Sequence, residues 1–198
     1  TGAAANFVQG QILPLGSGKL YALWYADGAL AGKKYTGSWG SQESIGATTA
    51  GVTDRAPSAV VDGSSDIHLI YVDSSGRVQY VKRTDSSGTL EAPTLLDGAA
   101  GNVYPVISRD TAKGYLYALW ISSGSQITGK VYTGGSWGAL SLETNTRTKS
   151  RLSSLYGVGS SANVAWTWTQ GSASPWDVKF SVLSTSLGSR TVDTSTLQ

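Results

Sequence analysis

The stretch that decides the fold is Leu20–Ile45, which reads LYALWYADGALAGKKYTGSWGSQESI. The chain repeats this stretch at Leu116–Glu143, which reads LYALWISSGSQITGKVYTGGSWGALSLE and places Trp120 where the first copy has Trp24. Self-similarity at a fixed period is the sequence signature of a repeat architecture. We therefore analyse the whole chain in terms of this repeat.

Both copies have the same internal pattern. A run such as LYALWY alternates large apolar residues with small or polar ones, as a half-buried strand does. A turn follows at Asp27-Gly28 or Ser123-Gly124, where glycine tolerates the positive φ of a tight hairpin. A second strand then ends in YTGSWG or YTGGSWG. The pattern predicts a meander of short antiparallel strands.

Two more divergent copies complete the series. IHLIYVDSSG carries Tyr71 at the position of Trp24, and VAWTWTQG carries Trp168 there. The anchor residues Trp24, Tyr71, Trp120 and Trp168 are 47, 49 and 48 residues apart. This regular spacing favours one structural module that occurs four times.

Each repeat has room for two further strands. We predict inner strands at Phe7–Leu15, Pro57–Asp62, Pro105–Asp110 and Leu152–Tyr156, and outer strands at Ser41–Ile45, Leu90–Leu96, Ala139–Glu143 and Ser189–Asp193. Four strands in about four dozen residues are typical of a β-propeller blade. The predicted fold is all-β: one β-propeller unit over residues 1–198, built of four four-stranded antiparallel blades at about 6–49, 50–98, 99–145 and 146–198.

The succession of strand, Asp-Gly turn, strand and Gly-Ser-Trp resembles the sialidase-like (BNR-type) propeller repeat, and fucose-lectin propellers have a similar blade. The resemblance covers nearly the whole chain. The sialidase Asp-box, Ser-x-Asp-x-Gly-x-x-Trp, is not intact in any of the four repeats. This departure weakens the case for a catalytic sialidase.

Four blades lie at the lower limit for a closed ring. An incomplete ring exposes apolar blade faces at its ends, and such faces require cover. We therefore expect an arc of a larger ring, completed by another chain, by the rest of a longer polypeptide or by a second copy. A self-closed ring of four blades is the alternative.

The composition excludes several classes of function. A net charge of +2 with 14% charged residues offers no broad attraction for nucleic acid. No apolar run approaches the length of about 20 residues that a membrane helix needs. Cysteine is absent, which rules out disulfides and thiolate metal sites. The 25 glycines and the abundant aromatic residues are typical of a secreted protein, so we expect an extracellular or cell-surface location.

The candidate ligand-binding charges are arginines near the starts of inner strands. Arg55 and Arg151 are two blade periods apart, and both are expected to face the axis, where guanidinium groups can hold a carboxylate. Arg55-Ala56-Pro57 resembles the Arg-Ile-Pro start of an inner strand in sialidases, which bind an acidic sugar with an arginine cluster. Arg109 is a third candidate. The alternative is that these arginines pair with aspartates or remain solvated.

The aromatic residues divide into two groups. The four anchor residues recur with the blade period, so we expect them to pack between blades, and Trp39 and Trp137 are candidates for the same role. Trp166 and Trp176 fall outside the period, which makes them the candidates for contact with a ligand. An aromatic ring suits the C–H face of a sugar.

The sequence gives little support for a catalytic site or a metal site. His68 is the only histidine, and we expect it to be bonded to a neighbour within its strand; a base formed with a facing tyrosine, as in propeller lyases, is the alternative. The turns at Asp73–Gly76 and Asp85–Gly88 are explained by hairpin chemistry, with weak Ca²⁺ binding as the alternative. We predict no metal site and no cofactor.

The sequence thus favours a non-catalytic extracellular module for recognition or assembly that binds a glycan or a protein. One alternative is part of a sialidase-like glycosidase or a polysaccharide lyase acting on acidic sugars. A structural subunit of an extracellular assembly is the other. Whether the protein has any enzymatic activity stays open.

Overall fold

The computed structural model of the chain describes residues 7–26, 28–47, 55–123, 126–142, 149–155, 163–170, 177–184 and 192–197. Over these ranges the chain forms sixteen β-strands and no α-helix. The strands differ in burial. Residues 12–16 alternate exposed and buried side chains, as the sequence pattern predicts, whereas Ile67–Val72 are buried throughout.

The sixteen strands follow one another in four sets of four. Blade 1 consists of β1 (Phe7–Gly16), β2 (Lys19–Ala26), β3 (Ala29–Tyr35) and β4 (Glu43–Ala47). Blade 2 consists of β5 (Ser58–Val61), β6 (Ile67–Val72), β7 (Val78–Arg83) and β8 (Thr94–Asp97). Blade 3 consists of β9 (Val103–Asp110), β10 (Tyr115–Ile121), β11 (Ile127–Tyr132) and β12 (Trp137–Ser141). Blade 4 consists of β13 (Lys149–Leu155), β14 (Asn163–Gln170), β15 (Asp177–Ser184) and β16 (Val192–Leu197).

Each set forms one four-stranded antiparallel sheet in which neighbours in the chain are neighbours in the sheet. The prediction of an all-β fold built of four four-stranded blades is therefore confirmed. The chain divides into two compact units, residues 1–101 with blades 1 and 2 and residues 102–198 with blades 3 and 4. Each unit is described by itself below.

Two turns show why glycine occupies fixed positions. Gly28, between β2 and β3, has φ 80°, a left-handed conformation that other residues adopt only at a cost. Gly76, between β6 and β7, has φ 79°, and a Cβ there would lie 2.5 Å from the backbone nitrogen of Gly101. Both hairpins therefore depend on glycine.

Residues of the central strands alternate between the two faces of each blade. We call the face with Leu20, Ala22 and Trp24 the front face of blade 1, and the face with Tyr21, Leu23 and Tyr25 its back face. Residues one blade period apart lie on equivalent faces. The front face of blade 2 therefore carries Ile67, Leu69 and Tyr71, and that of blade 3 carries Leu116, Ala118 and Trp120.

The core of the first unit lies between its two sheets. The back face of blade 1 packs there on the front face of blade 2, and Tyr21, Leu23, Ile67 and Leu69 are all nearly inaccessible. The core of the second unit is built in the same way, since the back face of blade 3 packs on Leu152 of blade 4. The blade period thus produces repeated apolar layers between sheets.

The anchor aromatics differ in burial where the structure describes them, and Tyr71 belongs to the core of the first unit. Tyr71 and Trp120 are buried, whereas Trp24 is only half-buried. The expectation that Trp39 packs between blades is wrong. Its side chain is 50% exposed, on the turn after β3 where an isolated bridge joins it to Tyr35. The side chain of Trp168 lies outside the described residues.

Candidate functional site

One charged side chain lies in the layer between blades 1 and 2. Arg83, at the end of β7, is 5% exposed. Its Nε donates to Glu43 Oε2 at 2.6 Å, and its Nη2 donates to Glu43 Oε1 at 2.7 Å. Glu43 belongs to β4, so this bidentate ion pair connects the two blades. Such a geometry fixes both direction and distance.

Tyr21 completes the arrangement around Arg83. Its hydroxyl donates to Glu43 Oε2 at 2.8 Å, and its ring lies 5.0 Å from the guanidinium carbon. Burial raises the pKa of Tyr21, and the Glu43 carboxylate raises it further. Burial also acts to raise the pKa of Glu43, but the hydrogen bonds from Arg83 and Tyr21 hold it below its usual value. The carboxylate is therefore ionised and the phenol neutral across the physiological range.

The space around this ion pair is too small for a ligand. A cavity of about 10 Å³ is lined by Tyr21, Leu23, Ile45, Ile67, Leu69, Val81, Arg83 and Leu90. That volume is about the minimum for one water molecule. The Arg83–Glu43 pair therefore joins the two sheets and leaves no preformed pocket for a sugar.

Further ion pairs lie around the Arg83–Glu43 pair. Lys34 of β3 binds the Asp85 carboxylate across the interface between the blades. The backbone N–H of Asp85 donates to Asp66 Oδ1 at 2.8 Å, and Lys82 Nζ lies 2.8 Å from Asp66 Oδ2. The β7–β8 turn is therefore held by charges from both blades.

His68 lies in a hydrogen-bonded chain within blade 2. Its Nδ1 is 2.7 Å from the Tyr80 hydroxyl, and its Nε2 is 3.2 Å from Asp62 Oδ2. His68 and Tyr80 are buried, and the Lys82 ammonium and Asp66 carboxylate lie nearby. The expectation of a strand histidine bonded to its neighbours is confirmed, and the facing tyrosine is Tyr80.

This environment predicts a stability change near neutral pH. Burial lowers the pKa of His68 below its usual 6.5, and the Asp62 carboxylate only partly opposes that effect. The unfolded state therefore binds a proton more readily, so the free energy of unfolding should be full above about pH 6.5 and fall at lower pH. Urea unfolding between pH 8 and pH 5.5 measures this slope.

His68→Asn is the control, because the chain has no other histidine. The low carboxylate pKa values of Glu43, Asp66 and Asp73 cause further losses only at more acidic pH. The variant should therefore unfold with the same free energy at pH 7.5 and pH 5.5. An unchanged slope in the variant would contradict the assignment to His68.

Two hairpins carry an aromatic pair, in which Trp39 is exposed and Trp137 is half-buried. The ring of Trp39 lies 5.3 Å from that of Tyr35, with the planes inclined at 60°. Trp137 and Tyr132 repeat this geometry at 5.4 Å and 53°, although their hairpin is one residue longer. The exposed Trp39 ring is an apolar surface that packs against the Tyr35 ring. Such a surface can contact the C–H face of a sugar.

In blade 2, the charged residue Arg83 occupies the position that Tyr35 has in this aromatic pair. Isolated bridges join Tyr35 to Trp39 in blade 1 and Arg83 to Leu90 in blade 2, so the two pairs hold equivalent places. Arg83 follows Tyr35 by 48 residues, one blade period. This spacing was a signal for Arg83 that our sequence reasoning did not use. The same position is thus aromatic in blades 1 and 3 and ionic in blade 2.

The predicted site residues are placed as follows. Arg55 lies directly before β5 and is half-buried; Arg109 lies in β9, is half-buried and pairs with Leu116. Arg151 lies in β13 and Trp166 in β14, but their side chains lie outside the described residues, as does Trp176 entirely. The convergence of the arginines on an axis remains a prediction.

The aspartate turns are explained without an ion. Asp73 accepts hydrogen bonds from the backbone N–H groups of Ser75 and Arg77 and from the side chains of Arg77 and Gln79. Its two oxygens are therefore engaged by the protein itself. In the part of the chain that the structure describes, no cluster of three or more acidic or histidine side chains has a metal-binding arrangement. Within the same ranges, no helix has the length and hydropathy to cross a membrane.

Comparison with known proteins reveals similarity of fold alone. No protein-family model matches the chain, and no curated protein matches it. Among solved structures, the Aleuria aurantia lectin, a fungal lectin with a six-bladed β-propeller fold and a fucose recognition mode, is 13% identical with a TM-score of 0.60. The match covers 90% of this chain and 56% of that lectin. The same lectin in complex with Fucα1-6GlcNAc matches with a TM-score of 0.65.

A sialidase shares the fold as well. NanB sialidase from Streptococcus pneumoniae is 15% identical with a TM-score of 0.59, and the match covers 83% of this chain and 28% of the sialidase. The predicted resemblance to sialidase-like and fucose-lectin propellers is therefore confirmed at the level of fold. The chain spans a little over half of the lectin's length.

Proposed function

We propose that this chain is a non-catalytic glycan-binding module of an extracellular or cell-surface protein. The observation that carries the proposal is the exposed Trp39 ring, fixed against Tyr35 and repeated as Trp137 against Tyr132. A fixed aromatic surface binds the apolar face of a sugar with little loss of side-chain entropy. The lectin fold supports this function, and the crystallised complex of that lectin makes fucosides the first ligands to test.

The polar contacts that orient a sugar are available beside the aromatic pair. Thr36, Ser38, Ser41 and Gln42 are all exposed on the same turn. Hydroxyl and amide groups supply both donors and acceptors, which suits a neutral sugar. The ions around Arg83 engage one another instead, so an acidic ligand has less support in the first unit.

The binding prediction concerns the two tryptophans. In calorimetric titration with methyl α-fucoside, and with a glycan array as a wider search, Trp39→Ala should weaken its site about 30-fold, since losing a central tryptophan contact costs about 2 kcal/mol. Trp39→Ala with Trp137→Ala should abolish binding at both hairpins. The exposure of Trp39 means that the fold should tolerate its replacement.

Leu95→Ala is the matched control, because Leu95 is equally exposed at 49% but lies on β8 of blade 2, which carries neither aromatic pair. It should bind as the unaltered chain does. Absence of binding to any glycan at millimolar concentration, or unchanged binding by the double variant, would refute the proposal.

An enzymatic role is the second candidate, because a sialidase shares the fold. In this hypothesis Arg55 and Arg151, with Arg109, hold an acidic sugar for a sialidase-like glycosidase or a lyase, and Trp166 and Trp176 contact it. Turnover of a fluorogenic sialoside that disappears in Arg55→Ala would favour this role. In either role we expect the blade ends to associate with a further blade from another chain, a longer polypeptide or a second copy.

A further inference from the structure

A lysine lies beside each of the two aromatic pairs. Lys33 precedes Tyr35 by two residues on β3. The same spacing on β11 separates Lys130 from Tyr132. Residues two apart in a strand lie on the same face, about 7 Å from each other. The register agrees, because both lysines pair with an alanine of the central strand and both tyrosines pair with a leucine. Each aromatic pair therefore has a lysine on its own face of the blade.

Blade 2 lacks the lysine together with the aromatic pair. Val81 holds the register position of Lys33, two residues before Arg83. Val81 is 1% exposed and belongs to the core of the first unit, where blade 1 covers the front face of blade 2. Lysine, tyrosine and tryptophan thus occur together where their positions are accessible, and all three are replaced where another sheet lies over them.

The front face of blade 1 leaves Lys33 open to a ligand. Ile12, Ala22 and Lys33 form one row across β1, β2 and β3. Ile12 is 59% exposed, whereas Ala59 and Ile107, which hold its place in blades 2 and 3, are each 2% exposed. The position in blade 1 is therefore more open to a bound molecule than its equivalents in the next two blades.

Neither lysine is engaged by a described residue. Both are half-buried, and among the residues that the structure describes no hydrogen bond, ion pair or ring contact involves either ammonium group. Lys34, on the opposite face of β3, binds Asp85 instead. The ions around Arg83 engage one another, whereas Lys33 presents a positive charge to which no carboxylate of the described ranges is bound.

We propose that this lysine selects the ligand of the aromatic pair, and that the ligand is an acidic glycan. The inference rests on the proposed glycan-binding function and specifies the class of glycan. A sugar ring packs on the tryptophan, and a carboxylate or sulfate on the same sugar or on the next one accepts hydrogen bonds from the ammonium group. Such charge-assisted bonds are about twice as strong as neutral ones, so they can determine which glycan binds.

The chemistry of lysine suits this role. Its stem adds apolar surface beside the aromatic rings, while the ammonium group stays in contact with water. An ammonium group has rotatable donors without a fixed plane, so it can bind either a carboxylate or a sulfate. Because the charge is partly solvated, its attraction for the ligand should weaken as the salt concentration rises.

Calorimetric titration with matched hexasaccharides tests the class of glycan. The probes are chondroitin 4-sulfate, its desulfated form, which keeps the carboxylates, and a desulfated, carboxyl-reduced form, which is neutral. We expect an acidic probe to bind about tenfold more tightly than the neutral one, because the ionic contact is added to the same sugar backbone. The two acidic probes distinguish sulfate from carboxylate as the preferred group. Raising the NaCl concentration from about 50 mM to about 500 mM should remove most of the difference.

Lys33→Met with Lys130→Met removes both charges and keeps most of the side-chain length. This variant should bind the acidic and the neutral probes with the same affinity, and its circular dichroism spectrum and melting temperature should remain those of the folded chain. Lys19→Met with Lys113→Met is the matched control, because it also removes two charges. Lys19 lies beside Asp85, and Lys113 lies in the exposed turn after β9. The control should keep the preference for the acidic probe.

The outcomes separate this inference from the proposed function. If the acidic and neutral probes bind equally, or if the double lysine variant keeps the preference, the lysines do not select the ligand. Loss of binding in Trp39→Ala with Trp137→Ala would then still support the aromatic pairs as glycan sites. Acidic binding that persists in the double tryptophan variant would overturn the inference, because the charge would act without the aromatic rings. Failure of all the hexasaccharides to bind would overturn it as well, whereas binding of methyl α-fucoside would leave the proposed function standing.

Discussion

Replacing Arg83 by leucine should lower the free energy of unfolding by about 3–5 kcal/mol, the usual loss when one partner of a buried ion pair is removed. The substitution leaves the Glu43 carboxylate in the layer between sheets with only the Tyr21 hydroxyl as a remaining donor among the contacts described above. It also removes the cation–π contact with Tyr21. Urea unfolding followed by tryptophan fluorescence at pH 7 measures the loss.

Arg77→Leu is the control for this prediction. Arg77 makes an ion pair of similar length with Asp73, but its own side chain is 45% exposed. Without it the Asp73 carboxylate keeps the backbone N–H groups of Ser75 and residue 77 and the Gln79 amide as donors, so this variant should stay within about 1 kcal/mol of the unaltered protein. Arg83→Leu combined with Glu43→Leu should recover much of the stability, because no charge then remains unpaired. If Arg83→Leu and Arg77→Leu lower the free energy of unfolding equally, the Arg83–Glu43 pair does not stabilise the contact between the two sheets.

Replacing Gly32 by alanine should cost about 3 kcal/mol, at the upper end of the usual penalty for an overpacked core. A Cβ on Gly32 would overlap the phenol ring of Tyr21. That ring cannot move aside easily, because it is 1% exposed and its hydroxyl is bonded to Glu43. The variant should therefore lose the Tyr21–Glu43 hydrogen bond along with its packing. Thermal and urea unfolding both report the change.

Gly138→Ala provides the comparison on another strand. A Cβ at Gly138 would meet its nearest neighbours, atoms of Val131, at 3.8 Å, an ordinary contact distance. Its effect should lie within about 0.5 kcal/mol, as for most surface substitutions. If both alanine variants unfold with the same free energy, the packing of Tyr21 over Gly32 does not contribute to stability.

The same position differs between blades 1 and 2. In blade 1, Tyr21 on the central strand covers Gly32 on the next strand. In blade 2 the corresponding residues are His68 and Tyr80, so the tyrosine ring comes from the other strand. Both blades thus place a tyrosine ring on this face, but from different strands.

Much of the fold could be predicted from local patterns. Alternation over a few residues predicts a strand, and glycine after an acidic or polar residue predicts a tight turn. The spacing of Trp24, Tyr71 and Trp120 then predicts how many sheets follow one another. These patterns are local or strictly periodic, so they can be recognised in the sequence without knowledge of any three-dimensional contact.

The candidate site was less predictable for a physical reason. The exposure of Trp39 depends on where a turn ends relative to its sheet, and the pairing of Arg83 with Glu43 depends on two blades meeting. A residue's neighbours across a layer are not its neighbours in the chain. Periodicity also predicts that equivalent positions are equally buried, which fails for Ile12 because burial depends on whether another sheet is present.

The amino-acid sequence by itself therefore determined the all-β class, the four-stranded module and its fourfold repetition, since backbone propensity and hydrophobic periodicity act over a few residues. Only the tertiary structure decided which repeated positions carry an ion pair, which present an aromatic ring to solvent and which face is left uncovered. These properties arise between sheets, where the packing of distant segments determines the surroundings of each side chain.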